Sequence, residues 1–139
     1  MNRKKVISLA ALLLIIAIMV GGYVAFDHIF PKAPPIRLPE QDNIVSVIVT
    51  FSDEKVETVL DEEDVATFLS LLTNAERTRK QCIDDLPTVR PFYQIEIKTS
   101  EREYRYFIYK EASGQIYIEL PYVGAYAGDE KVLSFIQGL

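Results

Sequence analysis

The run Phe92-Tyr93-Gln94-Ile95-Glu96-Ile97-Lys98 alternates apolar and polar side chains, breaks at Thr99-Ser100-Glu101-Arg102, and resumes as Tyr104-Arg105-Tyr106-Phe107-Ile108-Tyr109-Lys110. A period of two places successive side chains on opposite faces of a strand, so the pattern predicts two strands joined by a tight turn. Ser113-Gly114 turns the chain again, into Gln115-Ile116-Tyr117-Ile118-Glu119-Leu120. This stretch predicts a three-stranded meander.

On its N-terminal side, Ile44–Phe51 is dominated by β-branched residues and is followed by the polar turn Ser52-Asp53-Glu54-Lys55 and the short run Val56–Leu60, a hairpin pattern. Asp61 then stands as a helix N-cap with Asp64 three residues on, and Val65, Phe68, Leu69 and Leu72 form one apolar stripe at helical spacing. Asn74–Pro91 is charged and irregular. On the C-terminal side Asp129 caps a second helix carrying Val132, Leu133, Phe135 and Ile136. The expected order is β-β-α-β-β-β-α, an α+β domain with a mainly antiparallel sheet over residues 44–139. Its 96 residues suffice for one hydrophobic core and are too few for two.

Residues 6–26, VISLAALLLIIAIMVGGYVAF, carry no charge and follow Arg3, Lys4 and Lys5. As a helix they reach about 31 Å, close to the thickness of a bilayer's hydrocarbon core. The basic residues 1–5 form a tail expected to stay cytoplasmic, giving a single-pass anchor in the cell membrane with an extracellular C-terminal domain. A cleaved secretory signal is the rival, but its apolar region would be shorter and would end on small residues, where Tyr23-Val24-Ala25 presents a ring. Cys82, the one cysteine, lies far from the apolar segment and cannot be the acylated residue of a lipoprotein. Residues 27–43 hold four prolines within Pro31–Asn43 and read as a Pro-rich linker. An extended polyproline conformation would make those thirteen residues a spacer of roughly 40 Å.

Residues 44–139 contain 17 acidic and 10 basic side chains, net −7. A domain of that charge is repelled by nucleic acid and by anionic lipid headgroups, so neither is an expected partner of the domain. It has no histidine, which excludes Ser-His-Asp and Cys-His constellations. A single cysteine gives no zinc set, and Asp61-Glu62-Glu63-Asp64 lacks the glycine and spacing of a calcium loop, so no metal or other cofactor is expected. Paired carboxylates remain the catalytic option, Asp84 with Asp85 or Glu119 near Tyr117, as a carboxylate-dependent enzyme acting on cell-wall glycosides would need.

Two segments stand out for binding. Glu119–Gly128 leaves a strand, turns at Pro121 and carries Tyr122 and Tyr126 among Gly and Ala, as recognition loops do; alternatively both rings fold back to close the core. Arg77, Arg79, Lys80 and Arg90 concentrate positive charge, either to pair with Asp84 and Asp85 or to hold an anion. Arg79 and Lys80 would also lower the pKa of Cys82 if it were a redox sensor, but no second cysteine is present to resolve an oxidised thiol.

The run Thr78-Arg79-Lys80-Gln81-Cys82-Ile83-Asp84-Asp85-Leu86-Pro87, with Tyr117-Ile118-Glu119-Leu120-Pro121-Tyr122-Val123-Gly124-Ala125-Tyr126, resembles a family of small membrane-anchored or lipoprotein domains of Gram-positive bacteria. That family carries only a domain-of-unknown-function label. The resemblance spans roughly Ile44 to the C-terminus and implies an exported, compact α+β domain. It implies no activity and supplies no binding residues. The chain departs from the family pattern at Cys82, where a small hydroxyl residue is usual, and at Leu120, where a polar one is. The expected function is a non-catalytic binding or interaction module, contacting the bilayer through residues 6–26 and an unidentified envelope protein or small ligand through its domain. A wall-active enzyme and an inhibitor or immunity protein are the alternatives.

Overall fold

A computed structural model describes residues 3–54 and 57–139, with side chains from Val6 onward. The charges of Arg3, Lys4 and Lys5, the expected turn residue Lys55 and the expected strand residue Val56 lie outside the described residues. The chain forms two compact units that divide after Lys32.

The first unit is helix α1, Arg3–Ile29. Its apolar part, Val6–Ile29, is 24 residues long and has no buried residue, so the helix is long and apolar enough to cross a membrane. The helix continues three residues beyond the expected end of the span and stops just before Pro31, which cannot extend it without losing a hydrogen bond.

The second unit, Ala33–Leu139, is α+β. Its elements are β1 (Ile44–Phe51), β2 (Glu57–Val59), α2 (Glu62–Thr73), β3 (Glu76–Arg77), β4 (Phe92–Thr99), β5 (Glu103–Lys110), β6 (Ile116–Leu120), β7 (Gly124–Gly128) and α3 (Glu130–Gln137). The strands form one antiparallel sheet in the order β2-β1-β4-β5-β6-β7-β3. The expected meander is present as β4-β5-β6. Two strands were not expected. The Gly- and Ala-rich run that read as a loop is β7, and Glu76–Arg77 at the start of the irregular segment pairs with it as the edge strand β3. Small residues suit β7 because neighbours crowd it: a Cβ on Gly128 would lie 3.2–3.3 Å from Val132, Ile116 and Ile118.

Pairing register divides the sheet into two faces. Val47 opposite Ile97 and Val49 opposite Ile95 continue through Tyr106, Ile108 and Ile118 to Tyr126, all on the face covered by α2 and α3. Both helices begin as expected. Asp61 accepts a hydrogen bond from the Asp64 amide at 2.9 Å, and Asp129 accepts from Lys131 and Val132. Phe68 of α2 is fully buried and stacks on Phe135 of α3 with ring centroids 6.4 Å apart. Removing such a ring from water stabilises the fold by about 1.5–3 kcal/mol. On the opposite face Phe92, Phe107 and Tyr109 make a smaller cluster with Tyr117 and Val89.

The Pro-rich segment is not a free spacer. Ala33 is buried, and Ile36 and Leu38 pack on the main core. The Ala33 amide donates to the Thr78 carbonyl at 2.8 Å, and Arg77 Nε donates to the Ala33 carbonyl at 2.6 Å. The Tyr126 and Tyr106 hydroxyls donate to the carbonyls of Pro34 (2.7 Å) and Arg37 (3.0 Å). Prolines leave carbonyls without competing local donors, and two buried tyrosines need acceptors for their hydroxyls, so each side satisfies the other. The folded domain therefore starts at Ala33 rather than Ile44.

Candidate functional site

The β6–β7 connection is a tight turn in which the Val123 amide donates to the Leu120 carbonyl at 3.1 Å. Pro121 takes the second position, where its fixed φ fits, and Tyr122 the third, with φ +60°. Glycine usually fills such a position, and a side chain there is strained. The ring nonetheless stays 67% exposed, with its hydroxyl donating to Asp85 Oδ1 at 2.7 Å. That hydrogen bond, followed by desolvation and then by the negative charge of Asp85, raises the Tyr122 pKa.

Tyr122 and Val123 form one wall of an open groove of about 460 Å³. Leu120 and Tyr104 line it too, with Pro34, Pro35 and Arg37 from the docked Pro-rich strap and Arg102 from the β4–β5 turn. The volume is in the range of small-ligand sites. Arg102 donates from Nε to the Tyr104 hydroxyl at 2.6 Å and lies 4.6 Å from that ring's centroid. Arg37, Arg102, Tyr104 and the two prolines were not singled out from the sequence, because the strap read as linker and Arg102 as an ordinary turn residue.

Behind the groove lies a buried polar cluster. Glu119, 7% exposed, accepts from the Tyr109 hydroxyl at 2.6 Å and from Cys82 Sγ at 3.0 Å. Burial, followed by the hydrogen bond to Glu119, pushes the Cys82 thiol up to about 11, against a partly opposing effect of the Tyr122 backbone. Burial and the Glu119 bond likewise raise the Tyr109 hydroxyl. Cys82 is thus a protonated, shielded thiol that ties the 78–91 segment to β6, the reverse of the exposed thiolate a redox sensor needs.

The remaining expected residues separate. Tyr126 is fully buried in β7 and belongs to the core, so the loop expected to show two tyrosines shows one. Burial raises its pKa. Tyr117 is half-buried, with Lys80 Nζ 4.1 Å from its ring centroid; the same ammonium lies 5.1 Å from the Tyr109 ring and pairs with Glu111. Arg77 serves the strap, Arg79 is half-buried near it in sequence, and Arg90 lies 5.3 Å from the Phe92 ring centroid on the opposite face. Lys80, Arg77 and Arg90 therefore do not converge on one anion. Asp85 holds Tyr122, and the Asp84 carbonyl lies 3.6 Å from Cys82 Sγ. Among the described residues no group of three or more His, Cys, Asp and Glu side chains is arranged to hold a metal ion.

The model of the DUF5301 family, described as a domain of unknown function (DUF5300), matches residues 32–127. The chain belongs to this family. The match begins at Lys32, so the family's extent includes the strap as well as the sheet. An NMR structure of a protein from Ruminococcus gnavus is similar to the DUF5301 domain, at 31% identity and a TM-score of 0.57, over 68% of this chain and 90% of that one. A comparison with curated proteins finds no match.

Proposed function

We propose that the protein is a membrane-anchored, extracytoplasmic binding module whose ligand or partner is taken by the groove beneath Tyr122. In this reading α1 spans the bilayer with the basic N-terminus in the cytoplasm, as the positive charges before its apolar span and their sparser distribution after it favour. The observation that carries the binding role is Tyr122, whose exposed ring lines a groove and is held there by the hydrogen bond to Asp85. A non-catalytic role is supported by Glu119, the most buried carboxylate. Its two oxygens are both engaged, by Tyr109 and Cys82, rather than presented to solvent.

Photo-crosslinking in cells tests this, with a probe at Tyr122 and a control probe at Ser113 in the exposed β5–β6 turn. A discrete adduct at position 122, absent at 113, is expected, and mass spectrometry would identify it as protein or lipid. Equal labelling at both positions, or none at 122 in an exported and folded protein, would sink the proposal.

A further inference from the structure

We propose that the occupant of the groove is an anionic lipid of the bilayer that anchors the chain. Its charged headgroup lies between Arg37 and Arg102, and its apolar part rests against Pro34, Pro35, Leu120 and Val123. This rests on the binding-module reading above and names the ligand of the same site.

Three observations converge. The groove lining contains two arginines and no acidic residue, in a domain where acidic side chains outnumber basic ones. Guanidinium groups recognise phosphate through paired, planar donors. Among the described residues the Arg37 side chain has no hydrogen-bond or ion-pair partner, and Arg102 commits only its Nε, to Tyr104. The groove lining therefore carries net positive charge beside apolar walls, with Glu40 and Glu101 meeting Arg102 in the adjoining pocket rather than in the groove, which matches an amphiphile better than a wholly polar anion.

The third observation is the path of the chain. Phe30, Pro31 and Lys32 alone connect the end of α1 to Ala33, and the next two residues, Pro34 and Pro35, are already groove wall. If α1 spans a membrane, on whichever side the domain emerges, the groove wall begins five residues from the helix end. The net negative charge of the domain opposes a long-range approach to anionic lipid. An anchored domain makes no such approach, because tethering turns the encounter into an intramolecular one at high effective concentration.

The chain has no tryptophan, so Val123→Trp supplies a single fluorophore on the groove wall and Ser113→Trp a control in the β5–β6 turn, at the other end of β6. The full chain would be reconstituted in phosphatidylcholine vesicles with and without phosphatidylglycerol. With phosphatidylglycerol present, the Val123→Trp protein should shift its emission to the blue and be quenched by brominated phosphatidylglycerol, while Ser113→Trp is not. Arg37→Gln with Arg102→Gln should abolish that lipid-specific quenching without preventing co-flotation with vesicles. Equal quenching by brominated phosphatidylcholine alone, or none by either lipid in protein that floats, would overturn the lipid proposal and leave the anchor intact. Reversal of the blue shift by soluble glycerol phosphate would place the ligand in solution and overturn the bilayer source. A protein adduct at position 122 in cells without lipid quenching would keep the binding module and reject the lipid. Failure of the full chain to float would remove the anchor, and this proposal with it.

Discussion

Gly124 and Ala33 approach so closely that a Cβ on the glycine would lie 2.7 Å from the alanine Cβ. Gly124 also has φ +149°, a region that side chains avoid. The strap thus packs onto the one residue type that leaves room for it, at the strand start where the groove turn ends.

Gly124→Ala should destabilise residues 33–139 by about 2–4 kcal/mol, combining backbone strain with overpacking. Ala33→Gly in that background should recover only the overpacking part, about 1–2 kcal/mol. Urea unfolding of the four proteins of this cycle measures both. Full recovery would show that the strap contact, and not φ, carries the cost.

Removing the strap is the complementary change. A fragment beginning at Ile44 leaves the Tyr106 and Tyr126 hydroxyls without their carbonyl acceptors and uncovers the core beneath Ala33, Ile36 and Leu38. Relative to residues 33–139 it should lose several kcal/mol, chiefly from the apolar burial of Ala33, Ile36 and Leu38, with about 0.5–1.5 kcal/mol more for each hydroxyl that exchanges its carbonyl for water. Denaturant midpoints of the two fragments would decide; equal midpoints would return the strap to the status of linker.

Glu119→Ala removes the acceptor shared by Tyr109 and Cys82. A cost of about 2–4 kcal/mol is expected, chiefly from the buried Tyr109 hydroxyl. Glu119→Gln keeps an acceptor and should cost less. If Glu119 served chemistry instead, Gln would be at least as stable as Glu, because burying a neutral amide in place of a carboxylate would then relieve the fold.

Cys82 makes stability depend on alkaline pH. Its folded pKa of about 11 lies above the ordinary 9.0, so the folded state keeps its proton while the unfolded state loses one. Stability is full below pH 9 and falls as pH rises toward 11. Tyr106, Tyr109 and Tyr126, also raised, add the same sign above about pH 10. Cys82→Ala should flatten the slope between pH 9 and 10 in particular, as read from urea midpoints across that range.

Elements whose side chains alternate or recur regularly were legible in the sequence. The β4-β5-β6 meander and the Asp61 and Asp129 caps appear as expected, and so does the stripe of Val65, Phe68, Leu69 and Leu72, of which Leu69 is only partly buried. The misses share one physical cause, which is that the deciding partner is remote in sequence. Gly124–Gly128 has turn-like composition and becomes a strand because β6 and Glu76–Arg77 flank it. Ala33–Arg37 has linker composition and docks because Tyr106 and Tyr126, some 70 and 90 residues away, reach its carbonyls. The candidate site inherits both misses. Tyr122 was legible as a displayed ring, whereas Arg37 and Arg102 acquire meaning only when the strap is seen to form a wall with Leu120 and Val123.

Because the strap is both the chain leaving α1 and part of the groove lining, a pull applied to α1 would enter the domain there. Tension along the backbone would load the Ala33 amide and the carbonyls of Ala33, Pro34 and Arg37. Those carbonyl bonds end on Arg77 of β3, Tyr126 of β7 and Tyr106 of β5, so the same path would carry load from the strap into three strands of the sheet.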